Sequence, residues 1–91
     1  MSSSIPDRQL VQNFLQQRRF EEAKPVLEAL CKLDPRDAQS WFNLGLTNVE
    51  LGDLAAGIEC FRTSAGIEPD RPIIHYNLAR TQHMAGRLED A

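Results

Sequence analysis

The stretch from Ala38 to Arg71 reads AQSWFNLGLTNVELGDLAAGIECFRTSAGIEPDR. Its pattern returns when the chain is shifted by 34 residues, which places Leu44 on Leu10 in one direction and on Leu78 in the other. A fixed period of this length is typical of a solenoid, in which each helix pair packs against its neighbours. The sequence therefore predicts one domain, 1–91, made of repeats 4–37 and 38–71 and a partial repeat 72–91.

The middle repeat resembles the tetratricopeptide repeat family, whose helix pairs of about 34 residues share a loose packing signature. The residues that carry the resemblance are Trp41, Leu44, Gly45, Phe61 and Pro69. The segment departs from the family at three positions. Asn48 stands where an aromatic residue is usual, and Gly57 and Ser64 stand where Ala is usual. The resemblance implies an all-α, right-handed superhelical solenoid of antiparallel helix pairs, about two and a half repeats long.

Capping and turn residues predict five helices. Their expected bounds are Asp7–Arg18, Phe20–Leu33, Ala38–Leu51, Leu54–Ile67 and Pro72–Ala85. Asp7 is the expected N-cap of the first helix. Gly52 and Gly86 suit the left-handed position that ends a helix. Residues 87–91 then match the opening of a further helix, so we expect the chain to be the N-terminal piece of a longer protein.

Composition limits the classes of function. The chain has 13 acidic and 10 basic residues and a net charge of −3, whereas a nucleic-acid surface is normally basic. No apolar run approaches the roughly 18 residues of a membrane span. The opening Met1-Ser2-Ser3-Ser4 lacks the features of a secretory signal. We therefore expect a cytoplasmic protein with no nucleic-acid or membrane partner, and buried free thiols at Cys31 and Cys60.

No catalytic constellation is visible in the sequence. It contains no glycine-rich nucleotide or phosphate loop and no G-x-S-x-G motif. His75 and His83 are separated by about 12 Å of helix rise, which is too far to share a metal ion. His75 occupies the place of Trp41 in the preceding repeat, which predicts a packing role. The sequence predicts neither an enzyme nor a metal or cofactor site.

The family resemblance implies that the first helix of each pair lines a concave groove for peptides. Carried over, the candidate groove residues are Arg8, Gln9, Gln12, Phe42, Asn43, Leu46, Ile73, Tyr76, Asn77 and Arg80. Gln9, Asn43 and Asn77 recur once per repeat, and such a ladder of amides can bind peptide backbone because each offers a donor and an acceptor. The alternative is that Asn43 and Asn77 satisfy local backbone groups.

The leading interpretation is a protein–protein interaction module, a scaffold that binds a peptide or protein segment in this groove. One alternative is an N-terminal regulatory or substrate-docking arm of a larger enzyme, of the sulfotransferase, glycosyltransferase or methyltransferase type. Another is self-assembly. An unfinished C-terminal repeat is expected to leave apolar residues such as Leu78, Leu88 and the Phe61 side of repeat two uncovered. Exposed apolar patches favour a homodimer.

Overall fold

The structure, a computed structural model, describes residues 8–90 and the side chains of residues 8–87. The described residues form five helices, α1 (Arg8–Gln16), α2 (Phe20–Leu33), α3 (Ala38–Glu50), α4 (Leu54–Ile67) and α5 (Pro72–Asp90), and no strand. Each helix packs against the next one along the chain, and the molecule is elongated, with extents of 50 × 27 × 19 Å. This arrangement confirms the predicted all-α solenoid. The predicted N-cap Asp7 lies outside the described residues.

The central helix α3 contributes to two apolar clusters. Leu44, on one side of α3, packs with Val11 and Leu27 in a cluster that joins α1, α2 and α3 and also includes Cys60 of α4. On its other side, Phe42 packs with Phe61 and Ile74 in a cluster that joins α3, α4 and α5. Burial of large apolar side chains is the dominant favourable term in folding. These two clusters therefore hold the five helices together, and α3 is the element that both depend on.

Two glycines allow α3 and α4 to approach closely. A Cβ atom on Gly45 would lie 2.6 Å from Cε1 of Phe61, and one on Gly57 would lie 2.6 Å from Cγ2 of Val49. The Gly57 position would also meet the carbonyl oxygen of Gly45, at 3.2 Å. Gly45 and Gly57 therefore face each other across the helix pair. Because Gly45 has no side chain, the fully buried ring of Phe61 fits against its backbone.

The turn between α3 and α4 contains the expected glycine and an aspartate cap. Gly52 has φ 90°, in the left-handed region that glycine adopts without steric cost. Asp53 follows as the N-cap of α4, and its side chain accepts a hydrogen bond of 3.1 Å from the backbone N–H of Ala56. The turn is thus specified by residues within it.

The turn between α1 and α2 reaches a similar shape without these signals. Arg18 has φ 58°, so the left-handed position is occupied by a residue with a side chain, at a cost of roughly 1–2 kcal/mol. Arg19, the N-cap of α2, makes no side-chain capping hydrogen bond. Because Arg18 leaves the helical region, α1 ends at Gln16 and not at Arg18 as predicted.

The predicted end of the fifth helix at Ala85 is wrong. Helix α5 continues through Gly86 to Asp90, and Gly86 is not among the residues with positive φ. Arg87 stands where Asp53 caps α4, and a guanidinium group has no acceptor for the N–H groups of a new helix. Continuing the helix keeps the backbone hydrogen bonds satisfied.

The expectation that Leu78 and the Phe61 side of repeat two are uncovered is also wrong, whereas the side chain of Leu88 lies outside the described ones. Phe61 is fully buried, and Leu78 packs against the cluster that contains it. Helix α5 covers this side of α4 because the two helices pack directly against each other.

Both cysteines are free and buried, as predicted. Burial raises the pKa of Cys31 to about 12 and also raises that of Cys60, because a thiolate is poorly solvated in the core. The Nδ2 of Asn48 donates to Sγ of Cys60 at 3.6 Å. The Oδ1 of Asn48 is buried and has no hydrogen-bond partner among the described residues.

Candidate functional site

Helix α5 carries a continuous exposed row of side chains. We call this row the α5 stripe, and its members are Ile73, Tyr76, Arg80, His83 and Arg87. They recur every three or four positions, which places them on one side of a helix. Ile73 is 47% exposed and Tyr76 is 64% exposed. The stripe therefore offers an open aliphatic and aromatic surface next to cationic side chains.

The opposite side of α5 faces the core. Its buried residues are Ile74, Asn77 and Thr81. The 34-residue period alone assigns Tyr76 on α5 and Phe42, its counterpart on α3, to the same predicted peptide groove. In the structure Phe42 is only 7% exposed, and its ring lies 5.6 Å from that of Phe61. Phe42 is therefore a core residue, whereas Tyr76 is available to a partner. Leu46 is half-buried and packs against the same cluster as Phe42.

The two asparagines of the expected amide ladder are buried and have local partners. The Nε2 of Gln39 donates to Oδ1 of Asn43 at 3.0 Å. The Nδ2 of Asn77 donates to the carbonyl oxygen of Ile73 at 2.8 Å, one turn earlier on the same helix. The contact of Asn77 favours the alternative that it satisfies a local backbone group, whereas the partner of Asn43 is a side chain one turn earlier on α3. A ladder that binds a peptide stays a prediction.

The candidates on α1 are all exposed. The Nε2 of Gln9 donates to Oδ1 of Asn13 at 3.2 Å, and Arg8 forms an ion pair with the largely buried carboxylate of Asp37 at the start of α3. Arg8 and Gln12 line a cleft of about 50 Å³ together with Asn43. The structure thus brings three predicted residues together, but the cleft is too small for more than a side chain or a few waters.

A larger groove lies on the other side of α3 and was not predicted from the sequence. It has a volume of about 700 Å³ and is lined by Glu28, Cys31, Lys32, Pro35, Trp41 and Leu44. Trp41 and Phe42 project from different sides of α3 because successive residues are rotated by about 100°. The repeat pattern assigns Trp41 to packing, and its partial burial, which opens it to this groove, appears only in three dimensions.

Trp41 and His75 make the same hydrogen bond in successive repeats. The Nε1–H of Trp41 donates to the carbonyl oxygen of Pro35 at 2.9 Å, and Nε2 of His75 lies 2.7 Å from the carbonyl oxygen of Pro69. The carbonyl only accepts, so this histidine nitrogen carries the proton. His75 is exposed, so its predicted role in packing is wrong. It ties the first turn of α5 to the preceding loop.

The part of the chain that the structure describes shows no cluster of three or more His, Cys, Asp or Glu side chains that could hold a metal ion. Among the helices of residues 8–90, none is long and apolar enough to cross a membrane.

The repeat geometry agrees with a family-level comparison. The family model described as tetratricopeptide repeat matches residues 10–82, which is most of the chain. The chain belongs to the tetratricopeptide repeat family. A curated relative, Tetratricopeptide repeat protein 8 of Caenorhabditis elegans, is 32% identical over 54 residues, which are 59% of this chain and 11% of that protein.

Solved structures of MamA share the fold of this tetratricopeptide repeat chain. The AMB-1 protein superposes with a TM-score of 0.81 at 26% identity, over 90% of this chain and 45% of the MamA chain. The RS-1 ArsTM double mutant superposes with a TM-score of 0.80 at 27% identity, over 82% and 42% of the two chains. The chain spans about a tenth of the curated relative and less than half of these MamA chains.

Proposed function

We propose that this chain is a protein-interaction module that binds a peptide or protein segment along the inner face, which we define as the exposed residues of α1 and α5 together with Gln39 and Glu50 of α3. Membership of the tetratricopeptide repeat family supports an interaction or scaffold role. The observation that carries the proposal is the exposure of Ile73 and Tyr76 next to each other on α5. Tyrosine is enriched at protein interfaces because it combines a large apolar ring with a polar hydroxyl.

The inner face combines apolar and polar groups in the way a peptide site requires. Ile73 and Tyr76 provide apolar contact area, while the exposed side chains of Gln12 and Arg80 provide polar groups. A peptide that covers the two apolar side chains removes them from water, at about 25 cal/mol per Å² of apolar surface. The neighbouring polar side chains supply hydrogen bonds that orient the peptide.

The test is a selection of binders from a random peptide library, followed by fluorescence-polarisation measurements of Kd. We expect the Ile73→Ser and Tyr76→Ser variants to weaken selected peptides by about fivefold or more each, as is usual for a central apolar contact. Leu33→Ser is the matched control, since Leu33 is 68% exposed on α2, away from the inner face. Binders that respond to Leu33→Ser and ignore both α5 variants would overturn the proposal.

The larger groove beside α2 offers an internal check on where a selected peptide binds. Trp41, the only tryptophan of the chain, lines that groove, so a ligand bound there changes its fluorescence directly. Binding on the inner face leaves Trp41 emission close to that of the free protein. A selected peptide that shifts the emission strongly therefore binds at the α2 side and counts against the proposal.

Two other hypotheses stay predictions. The enzyme-arm hypothesis is tested by the domains of the protein that carries this segment, and self-assembly is tested by sedimentation over a concentration series. Two of the apolar residues expected to drive self-assembly, Phe61 and Leu78, are packed between α4 and α5 and are not open to a second copy. A monomer up to high micromolar concentration would exclude the dimer.

A further inference from the structure

The α5 stripe is cationic although the chain as a whole is acidic. The net charge of the chain is −3, yet the segment 71–88 contains no Asp or Glu. Its basic and titratable residues are Arg71, His75, Arg80, His83 and Arg87. Two of the arginines, Arg80 and Arg87, form no ion pair with any residue that the structure describes. By contrast, Arg18 and Arg62 pair with Glu50 and Glu59. Within residues 8–87 the stripe therefore presents positive charge that no carboxylate pairs with, and Glu89 and Asp90 follow it in the sequence.

The charge and the apolar surface are arranged in sequence along the helix. Ile73 and Tyr76 form the N-terminal end of the stripe, and the two arginines follow. With a rise of 1.5 Å per residue, Arg80 lies about 6 Å beyond Tyr76 along the axis, and Arg87 lies about 10 Å beyond Arg80. One end of the stripe thus suits an apolar side chain, and the other suits two anions.

We propose that the segment bound on the inner face is an acidic peptide with one large apolar residue. The apolar residue packs on Ile73 and Tyr76, and two carboxylates pair with Arg80 and Arg87. The guanidinium of an arginine donates two parallel hydrogen bonds to a carboxylate, which gives the contact directional specificity. This inference rests on the proposed function and adds the chemistry of the partner.

The stripe also sets the spacing of the partner's side chains. An extended peptide rises about 3.3 Å per residue, so carboxylates three residues apart match the separation of the arginines. The apolar residue falls two or three residues before the nearer acid. His83 lies between the arginines and adds a donor to the same surface. The recognised segment is therefore about six residues long, with an apolar residue at one end.

A short acidic peptide suits this surface better than a nucleic acid. A duplex carries about one charge per 1.7 Å and interacts with a broad area of protein. The second helix of repeat one carries three glutamates, Glu21, Glu22 and Glu28, against two lysines, Lys24 and Lys32. A long polyanion would experience the field of these carboxylates, whereas a six-residue peptide contacts only the stripe.

The test compares the sequences and affinities of peptides selected from a random library. We expect an excess of Asp and Glu, with a large apolar residue two or three positions from the first acid. Replacing the acids of a selected peptide with Gln is expected to weaken it about tenfold, and 0.5 M NaCl to weaken it in the same direction, since exposed charge pairs are screened.

Charge reversal on the protein identifies the cations. The double variant Arg80→Glu/Arg87→Glu is expected to weaken the acidic peptides by about tenfold or more. The control Lys24→Glu/Lys32→Glu changes the net charge equally on α2 and is expected to change Kd less than about twofold. Both pairs lie on the surface of helices, and circular dichroism checks that both variants remain folded.

The outcomes separate this inference from the proposed function. Neutral or basic peptides that still depend on Tyr76 would overturn the acidic partner and leave the inner-face site standing. Acidic peptides that lose equal affinity in both double variants would show general charge attraction and overturn the inference. A duplex DNA probe that binds more tightly than any acidic peptide would also overturn it. Failure to select any binder that depends on Ile73 or Tyr76 would overturn both proposals.

Discussion

The first two repeats build the same helix pair from different residues. In repeat two, Gly45 and Gly57 face each other, and the large Phe61 fills the space beside them. In repeat one, the corresponding cluster is made by Val11, Ala23 and Leu27. A larger side chain on the second helix is thus matched by smaller residues at the crossing. The comparison shows that the bulk of the side chains is distributed differently over the helix crossing in the two repeats.

The turns of the two repeats differ in the same way. Repeat two uses Gly52 at φ 90° and an aspartate cap, whereas repeat one places Arg18 at φ 58° with no side-chain cap. Tertiary packing between α1 and α2 therefore imposes a turn that the local sequence does not favour. The turn of repeat two is specified by its own residues and by helix packing, whereas the turn of repeat one is specified by helix packing alone.

The largest effect is expected from Phe61→Ala, which removes the fully buried side chain of repeat two. Truncation of a buried aromatic residue costs about 3–5 kcal/mol. Urea denaturation followed by the fluorescence of Trp41 measures the loss. Tyr76→Ala is the control, since Tyr76 is 64% exposed and its truncation is expected to cost less than about 0.5 kcal/mol. Equal costs would show that Phe61 is not the centre of the cluster.

The next effect concerns the close approach at Gly45. Overpacking by Gly45→Ala costs about 1–3 kcal/mol, against a gain of about 1 kcal/mol in helix propensity, so we expect net destabilisation of about 1 kcal/mol. In a Phe61→Leu background the added methyl group has room, as Val11 has beside Leu27, and the cost is expected to disappear.

A matched control for Gly45 is Gly66→Ala on α4. A Cβ atom there meets nothing within 4 Å, so this change is expected to stabilise the protein by about 1 kcal/mol.

Urea denaturation of the double-mutant cycle provides the coupling energy between Gly45 and Phe61. Additive effects of Gly45→Ala and Phe61→Leu would contradict the volume exchange between repeats.

A smaller effect is expected from Arg18→Gly, which gives repeat one the turn residue of repeat two. Relief of the left-handed strain, roughly 1–2 kcal/mol, exceeds the loss of the exposed Arg18–Glu50 ion pair and the added freedom of the unfolded chain. We expect a net stabilisation of about 0.5–1 kcal/mol by thermal denaturation. Arg18→Ala loses the ion pair and keeps the strain. An Arg18→Gly variant no more stable than Arg18→Ala would refute this account of the turn.

The smallest effect compares the ring nitrogens of Trp41 and His75. His75→Phe removes the hydrogen bond to the carbonyl of Pro69 and is expected to cost about 0.5–1.5 kcal/mol. His75→Trp installs the residue of repeat two, retains a donor and is expected to be at least as stable as the wild type. Differential scanning calorimetry measures both. If the Phe variant matches the Trp variant, the hydrogen bond contributes nothing.

The sequence predicts most of the helices because their ends have local signals. The bounds of α2 and α4 agree with prediction, and both helices are followed by an acidic residue and a proline, Asp34-Pro35 and Glu68-Pro69. The end of α5 was missed because glycine only permits a turn, and Gly86 lacks the following aspartate cap that Gly52 has. The positive φ of Arg18 could not be predicted, since it results from the packing of α1 on α2.

The candidate site was predictable only in part. The period assigns Phe42 and Tyr76 to the same face, but whether each is open depends on the helix that packs over it. Phe42 is covered and Tyr76 is not. The same limit applies to Asn43 and Asn77, whose burial and local partners appear only in three dimensions. The exposed residues of α1 and α5 were found because exposure there follows directly from the helical pattern.

The most direct test of the inner-face site is an amide chemical-shift map of the ¹⁵N-labelled protein with a selected peptide. The account predicts that the shifts concentrate on α5 from Ile73 to Arg87, with smaller ones on α1 and α3. The amides of α2 around Glu28 and Lys32 are expected to remain unchanged. Shifts centred on Glu28, Lys32 and Trp41, with α5 unaffected, would place the binding site in the groove beside α2 and contradict the account.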